Sequence, residues 1–112
     1  MVVCVSLSTH VLDTGSGRPA VDVPVRLERA VLTLDGAVKG WRPVAETVTD
    51  GDGRATDLPA DSTGTWRLIF DTAHHSEFHP EVAIVFVIRD ASEHHHVPLL
   101  LAPYGYTTYR GS

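Results

Sequence analysis

Cysteine is nearly missing from this chain: Cys4 is the only one in 112 residues, so no intrachain disulfide can staple the fold. A lone thiol suits a reducing compartment, and the apolar alternation around Cys4 marks it as packing rather than as a nucleophile. Basic residues are scarce too. With 9 Lys and Arg against 14 Asp and Glu the formal charge is −5, which argues against nucleic acid or an anionic membrane as a partner; any bound anion must meet a local cluster of Arg or His. No apolar run approaches the roughly 18 residues that span a bilayer, so a soluble protein is expected. Met1 to Leu7 carries no basic segment and meets polar Ser8-Thr9-His10 at once, which makes a poor signal peptide and leaves a cytoplasmic address as the expectation. The length fits one domain, residues 1–112, large enough to bury a core.

Helical periodicity is also lacking, and what fills the chain is alternation of period two. Val3 to Asp13 reads as a strand with Val3, Val5, Leu7, Thr9 and Val11 on one face and Cys4, Ser6, Ser8, His10 and Leu12 on the other. Asp13 to Pro19 is a loop of turn formers. Val21, Val23, Val25 and Leu27 alternate with polar residues; Pro24 among them cannot donate to a ladder, which places this strand at an edge or turns the prolyl nitrogen outward. The alternation runs on to the hairpin dipeptide Asp35-Gly36, and a return strand follows from Lys39 to Val48. Trp66, Leu68 and Phe70 share a face of another strand. Val82 to Ile88 is almost wholly apolar and reads as buried on both faces. Val97 to Ala102 forms the last clear strand. Short strands separated by turns predict an all-β sandwich or barrel.

Two clusters carry chemistry. Asp50-Gly51-Asp52-Gly53-Arg54 resembles a calcium loop only superficially, because Arg54 stands where a third oxygen donor is required; a tight turn is expected instead, with Arg54 held on its corner. His94-His95-His96 invites a metal, yet on a strand only His94 and His96 share a face. A third ligand from His10, His74, His75 or His79 stays open at this level, although His74 and His75 read as solvated loop residues. His96 leads directly into apolar residues, so a half-buried imidazole suited to moving protons is expected there. The final segment, Tyr104 to Ser112, holds three tyrosines, an arginine, two threonines and a serine, which reads as part of a site rather than a tail.

Ser8-Thr9-His10-Val11-Leu12-Asp13 with Gly17-Arg18-Pro19-Ala20, Asp52-Gly53-Arg54, Phe78-His79-Pro80-Glu81-Val82, His94-His95-His96-Val97-Pro98-Leu99-Leu100-Leu101 and the ending Tyr109-Arg110-Gly111-Ser112 occur in that order. Together they resemble the 5-hydroxyisourate hydrolases, transthyretin-related enzymes of urate breakdown. The resemblance implies a transthyretin-like (prealbumin-like) β-sandwich of two four-stranded sheets, assembled as a homotetramer, a dimer of dimers with sites at the dimer–dimer interface. It implies hydrolysis of 5-hydroxyisourate to 2-oxo-4-hydroxy-4-carboxy-5-ureidoimidazoline without metal or organic cofactor. Carried over by position, the catalytic residues are His10, Arg54, His96 and Ser112, and the substrate-binding residues are His10, Arg54, Tyr109 and Ser112.

The residue types suit the reaction. A histidine can take the proton of the attacking water near neutral pH, a second can orient the water or protonate the leaving nitrogen, and Arg54 offers a fork of donors to carbonyl oxygens. Tyr109 and Ser112 add hydroxyls, while Arg110 fits either the site or an anchor for the terminus. The chain departs from the family in two places: Glu28 to Asp50 is longer, implying an extended hairpin around Leu32 to Lys39, and Asp71 to Val82 is shorter, so no helix is expected there. His95 replaces a common aromatic and should point away from His96. The rival readings are a transthyretin-like carrier of a small ligand without catalysis and a metal-binding sandwich.

Overall fold

Alternation along the chain becomes two facing sheets in the computed structural model, which describes residues 7–111. Ten strands follow one another: β1 (Leu7–Asp13), β2 (Arg18–Pro19), β3 (Pro24–Leu32), β4 (Val38–Val48), β5 (Arg54–Leu58), β6 (Gly64–Asp71), β7 (Glu81–Ile88), β8 (His95–His96), β9 (Leu99–Leu101) and β10 (Tyr106–Thr108). No helix occurs among the described residues. Between β6 and β7 the chain makes only a turn, in which Thr72 O accepts from the amides of His75 and Ser76.

One sheet is fully antiparallel, in the order β4-β3-β6-β7. The other is built around β1. Along one side of β1 lie β5 and β2, both antiparallel to it; along the other lie β8 and β9, both parallel to it, with β10 outside β9. This sheet is therefore four positions wide but assembled from six short segments rather than four continuous strands. The break between β8 and β9 falls at Val97-Pro98, where proline has no N–H to give.

The inward faces meet in a core that includes Leu7, Val11, Val25, Leu27, Trp66, Leu68, Phe70, Val82, Leu99 and Leu101. Burying each of these side chains stabilises the fold by about 1.5–3 kcal/mol. Thr9, also fully buried, satisfies its hydroxyl by donating to Val97 O at 2.6 Å, which ties β1 to the β8–β9 junction. Inward Leu7, Thr9 and Val11 leave Ser8 and His10 on the outer face, as the alternation predicts.

One expectation narrows here and one fails. The strand containing Pro24 is interior, flanked by β4 and β6, and not at an edge. Pro24 is its first residue, a position where a missing N–H is tolerated; Asp22 has φ 59, and Val21 is 39% exposed ahead of the strand. The apolar run of β7 is not buried on both faces. Val82, Ile84 and Ile88 face the core, whereas Ala83 is exposed and Val85 and Val87 are 57% and 48% exposed, because no layer of this chain covers the far face of the sheet. The expected hairpin turn does lie at 33–37, closed by Thr33 N donating to Ala37 O at 2.7 Å with Gly36 at φ 89.

Candidate active site

Three neighbouring strands of the β1 sheet bring the sequence-predicted residues together. In the β1–β5 ladder His10 stands directly opposite Arg54, and in the β1–β8 ladder Ser8 stands beside His96. Because Ser8 and His10 are two apart on one strand, they share its outer face. Ser8, Arg54, Thr56, His94 and His96 line a cavity of about 220 Å³, with His10 next to Arg54 on the same sheet.

Arg54 owes its place to the turn before β5. The Asp50 carboxylate accepts the amides of Asp52 (2.8 Å) and Arg54 (3.0 Å), while Asp50 O accepts Gly53 N and Asp50 N donates to Arg54 O. These amide bonds, that of Arg54 foremost, hold the Asp50 carboxyl below its ordinary 3.8. Its oxygen is thus engaged by the turn itself, the tight corner expected of Asp50 to Arg54. Gly53 takes φ 75, a left-handed conformation that glycine adopts without strain.

His10 is fixed by the same turn. Its Nε2 lies 2.9 Å from Asp52 O, and a carbonyl oxygen can only accept, so Nε2 carries the hydrogen. In the neutral ring the lone pair is then on Nδ1.

His96 sits half-buried, with Nδ1 2.8 Å from Ser8 Oγ. Its pKa is pushed below the ordinary 6.5 first by desolvation and then by electrostatic interaction with His10, His94 and Arg54, against a smaller opposing effect of a hydrogen bond to the Ser8 backbone. At neutral pH the ring is uncharged and able to accept a proton. His95 points the other way, as expected: it is buried and its Nδ1 lies 3.0 Å from Glu93 O.

The terminal segment reaches His96 by folding back. β10 runs antiparallel to β9, Thr108 Oγ1 donates to Pro98 O at 2.8 Å, and Gly111 N donates to His96 O at 2.7 Å in an isolated antiparallel bridge. A Cβ on Gly111 would stand 2.5 Å from His96 Cδ2. Only glycine lets the chain pass this close to the imidazole. Gly111→Ala is therefore expected to displace the ring and lower turnover by about 10²-fold with the fold retained; steady-state kinetics beside a circular dichroism spectrum would check it, and full activity would show that the contact does not position His96.

Not every sequence-predicted residue joins this cluster. Tyr109 is 55% exposed and lines a different cavity, of about 240 Å³, with Phe86, Val87 and His95. The alternation of β10 ends at Thr108, so the side chain at 109 no longer follows that ladder. Ser112 lies outside the described residues. Arg110 reaches Glu93 Oε2 at 3.4 Å, a contact that serves the anchoring role of the two left open by the sequence. Ser8, His94 and Thr56 are residues whose part in the site the sequence reading missed; the two-residue spacing from His10, His96 and Arg54 is the signal that places each of them. Among the described residues no group of three His, Cys, Asp or Glu side chains is arranged to hold a metal ion.

Comparison with known proteins gives a consistent result. The model of the HIUase/Transthyretin family matches residues 7–111. A mouse protein named 5-hydroxyisourate hydrolase is 42% identical over 115 residues, covering 95% of this chain and 94% of its own. Among solved structures, Klebsiella pneumoniae 5-hydroxyisourate hydrolase superposes with a TM-score of 0.75 at 37% identity, covering 96% of this chain and 99% of its own. Sea bream transthyretin in complex with thyroxine gives 0.80 at 30% identity, covering 94% and 93%. An (S)-allantoin synthase gives 0.81 at 28% identity across all of this chain, which spans 46% of that longer one.

Proposed function

Since the chain belongs to the HIUase/transthyretin family, we propose that it hydrolyses 5-hydroxyisourate to 2-oxo-4-hydroxy-4-carboxy-5-ureidoimidazoline in urate breakdown. The observation that carries this reading is the meeting of His10, Arg54 and His96 on adjacent strands of one sheet. A small planar heterocycle rich in carbonyls needs little else. Water adds to the ring acyl carbon and its proton passes to Nε2 of His96, whose lowered pKa keeps the ring in its base form at neutral pH. Arg54 meets the oxygen on which negative charge develops. The C–N bond then breaks, the nitrogen takes up the proton, and the carbon keeps the hydroxyl as a carboxyl group. His10, held with Nε2 as a donor to Asp52 O, presents Nδ1 to orient the water or the substrate. Ser112 completes the substrate contacts in this reading, Tyr109 stays outside them on the wall of its own cavity, and no metal takes part.

The decisive experiment follows the absorbance decay of freshly generated 5-hydroxyisourate with and without the protein. Acceleration over the spontaneous reaction is expected. Decay at the spontaneous rate, with a bound small aromatic ligand recovered intact, would establish the carrier reading instead.

Assembly as a homotetramer is part of the same proposal. Ala83, Val85 and Val87 leave an apolar, outward face on edge strand β7, and a neighbouring subunit would cover it. Light scattering should return about four times the 12.2 kDa chain mass; a monomer would overturn the assembly.

A further inference from the structure

Ser8 has one hydroxyl hydrogen and stands between two imidazoles. Its Oγ lies 2.8 Å from His96 Nδ1 and 3.0 Å from His94 Nε2. A hydroxyl donates once and accepts through two lone pairs, so it can donate to only one of the two rings, and the other must donate to it. The tautomers of His94 and His96 are thereby coupled through a single oxygen.

Two arrangements place the Ser8 hydrogen between the rings. In one, Ser8 donates to His96 Nδ1, which places the hydrogen of His96 on Nε2 and turns its lone pair toward the serine. In the other, His96 Nδ1–H donates to Ser8, Ser8 donates to His94 Nε2, and the lone pair of His96 is on Nε2. Only the second leaves a base nitrogen available to water. It also needs no rearrangement during the reaction: when Nε2 takes the proton, the imidazolium keeps its Nδ1–H bond to Ser8, and loss of that proton to the leaving nitrogen restores the starting state.

Resting on the hydrolase reading above, we propose that Ser8 is a positioning residue which accepts the Nδ1 hydrogen of His96 and passes its own to His94, holding His96 in the tautomer that can act as base. The fold supports this geometrically. Ser8 and His96 are partners in the parallel β1–β8 ladder, Val97 N donates to Ser8 O at 2.9 Å, and Ser8 is only 8% exposed. Neither backbone can shift to relax the hydroxyl away from the ring, and little water can replace it. His94, at the exposed end of the row, completes the acceptor side.

Imidazole nitrogen–proton correlation spectra of the 15N-labelled protein at neutral pH test the arrangement without substrate. His96 is expected as the neutral Nδ1–H tautomer in the wild type. Ser8→Ala, a change too small to disturb the core, should shift it toward Nε2–H and lower kcat about 10²-fold at little change in KM. Ser8→Thr, which restores a hydroxyl, should recover both. His94→Ala removes the acceptor for the Ser8 hydrogen and should also move His96 away from Nδ1–H. A wild-type His96 found as Nε2–H, or a Ser8→Ala protein with an unaltered tautomer and kcat, would overturn the proposal. A wild-type protein inert toward 5-hydroxyisourate would overturn the hydrolase reading itself, and the spectra would then decide the hydrogen placement independently.

Discussion

Replacing His96 with asparagine should slow 5-hydroxyisourate hydrolysis by about 10²- to 10⁴-fold and leave the sandwich folded. The fold should survive because His96 is held by its backbone: its carbonyl accepts Gly111 N, and it pairs with Ser8 in the β1–β8 ladder, neither of which depends on the ring. Asparagine can still bond the Ser8 hydroxyl but cannot take a proton near neutral pH. The pH profile adds a second, independent signature. Since desolvation and the nearby His10, His94 and Arg54 lower the His96 pKa, the ring sheds its proton at lower pH than a free imidazole. The acid limb of kcat/KM in the wild type should accordingly fall below pH 6.5, and the residual activity of His96→Asn should lack that limb. His10→Asn should also lower turnover, through loss of the Nδ1 lone pair. Unchanged rates in folded variants would refute the assignment of these two histidines.

The second large effect is on stability. Gly53→Ala should destabilise the protein by about 3 kcal/mol or more, with a fall in Tm of roughly 10–20 °C. The new Cβ would stand 2.5 Å from Val11 O, 3.0 Å from Pro19 Cβ and 3.3 Å from Ala20 N, at a residue already holding φ +75. None of these neighbours is free to retreat, because Val11 N donates to Gly53 O and Val11 O accepts Ala20 N. The same clash separates Arg54 from its partner on β1, so activity should fall with stability. Gly51→Ala in the same turn is the control: nothing lies within 4 Å of its added Cβ, and a change within about 0.5 kcal/mol is expected. Thermal denaturation of the pair would measure both, and equal melting temperatures would show that the corner is softer than its contacts indicate.

Local rules made much of this molecule legible in advance. Period-two alternation put His10 on the outer face of β1 and Trp66, Leu68 and Phe70 on the inner face of β6, because a strand has no other way to hide every second residue. The Asp-Gly pair marked the corner that carries Arg54, since its geometry is set within five residues. What was not legible depends on which strands become neighbours. Pro24 reads either as an edge residue or as one with its nitrogen turned outward until β4 and β6 are known to flank its strand, and the β7 run reads as doubly buried until the outer face of its sheet proves uncovered. The approach of Gly111 to His96 needs the reversal after β9, where Ala102 N donates to Gly105 O, and nothing local specifies how far the returning chain runs. For the same reason the sequence assigned Tyr109 to a cluster from which the end of β10 removes it.

The division of the sandwich into two unlike sheets has a consequence for how its assembly can be watched. Trp41 and Trp66 are both on the antiparallel sheet, in β4 and β6, whereas His10, Arg54 and His96 all stand on the sheet of β1. The first sheet begins from a hairpin with a five-residue turn at 33–37; the second must join Ser8 to His94 and His96 across 86 and 88 residues of chain. Loops of that length close late, because their entropy is lost before any contact repays it. Tryptophan fluorescence in a refolding experiment thus reports on the antiparallel sheet and, through buried Trp66, on its docking, whereas recovery of hydrolysis is the separate and slower clock for the row of His10, Arg54 and His96.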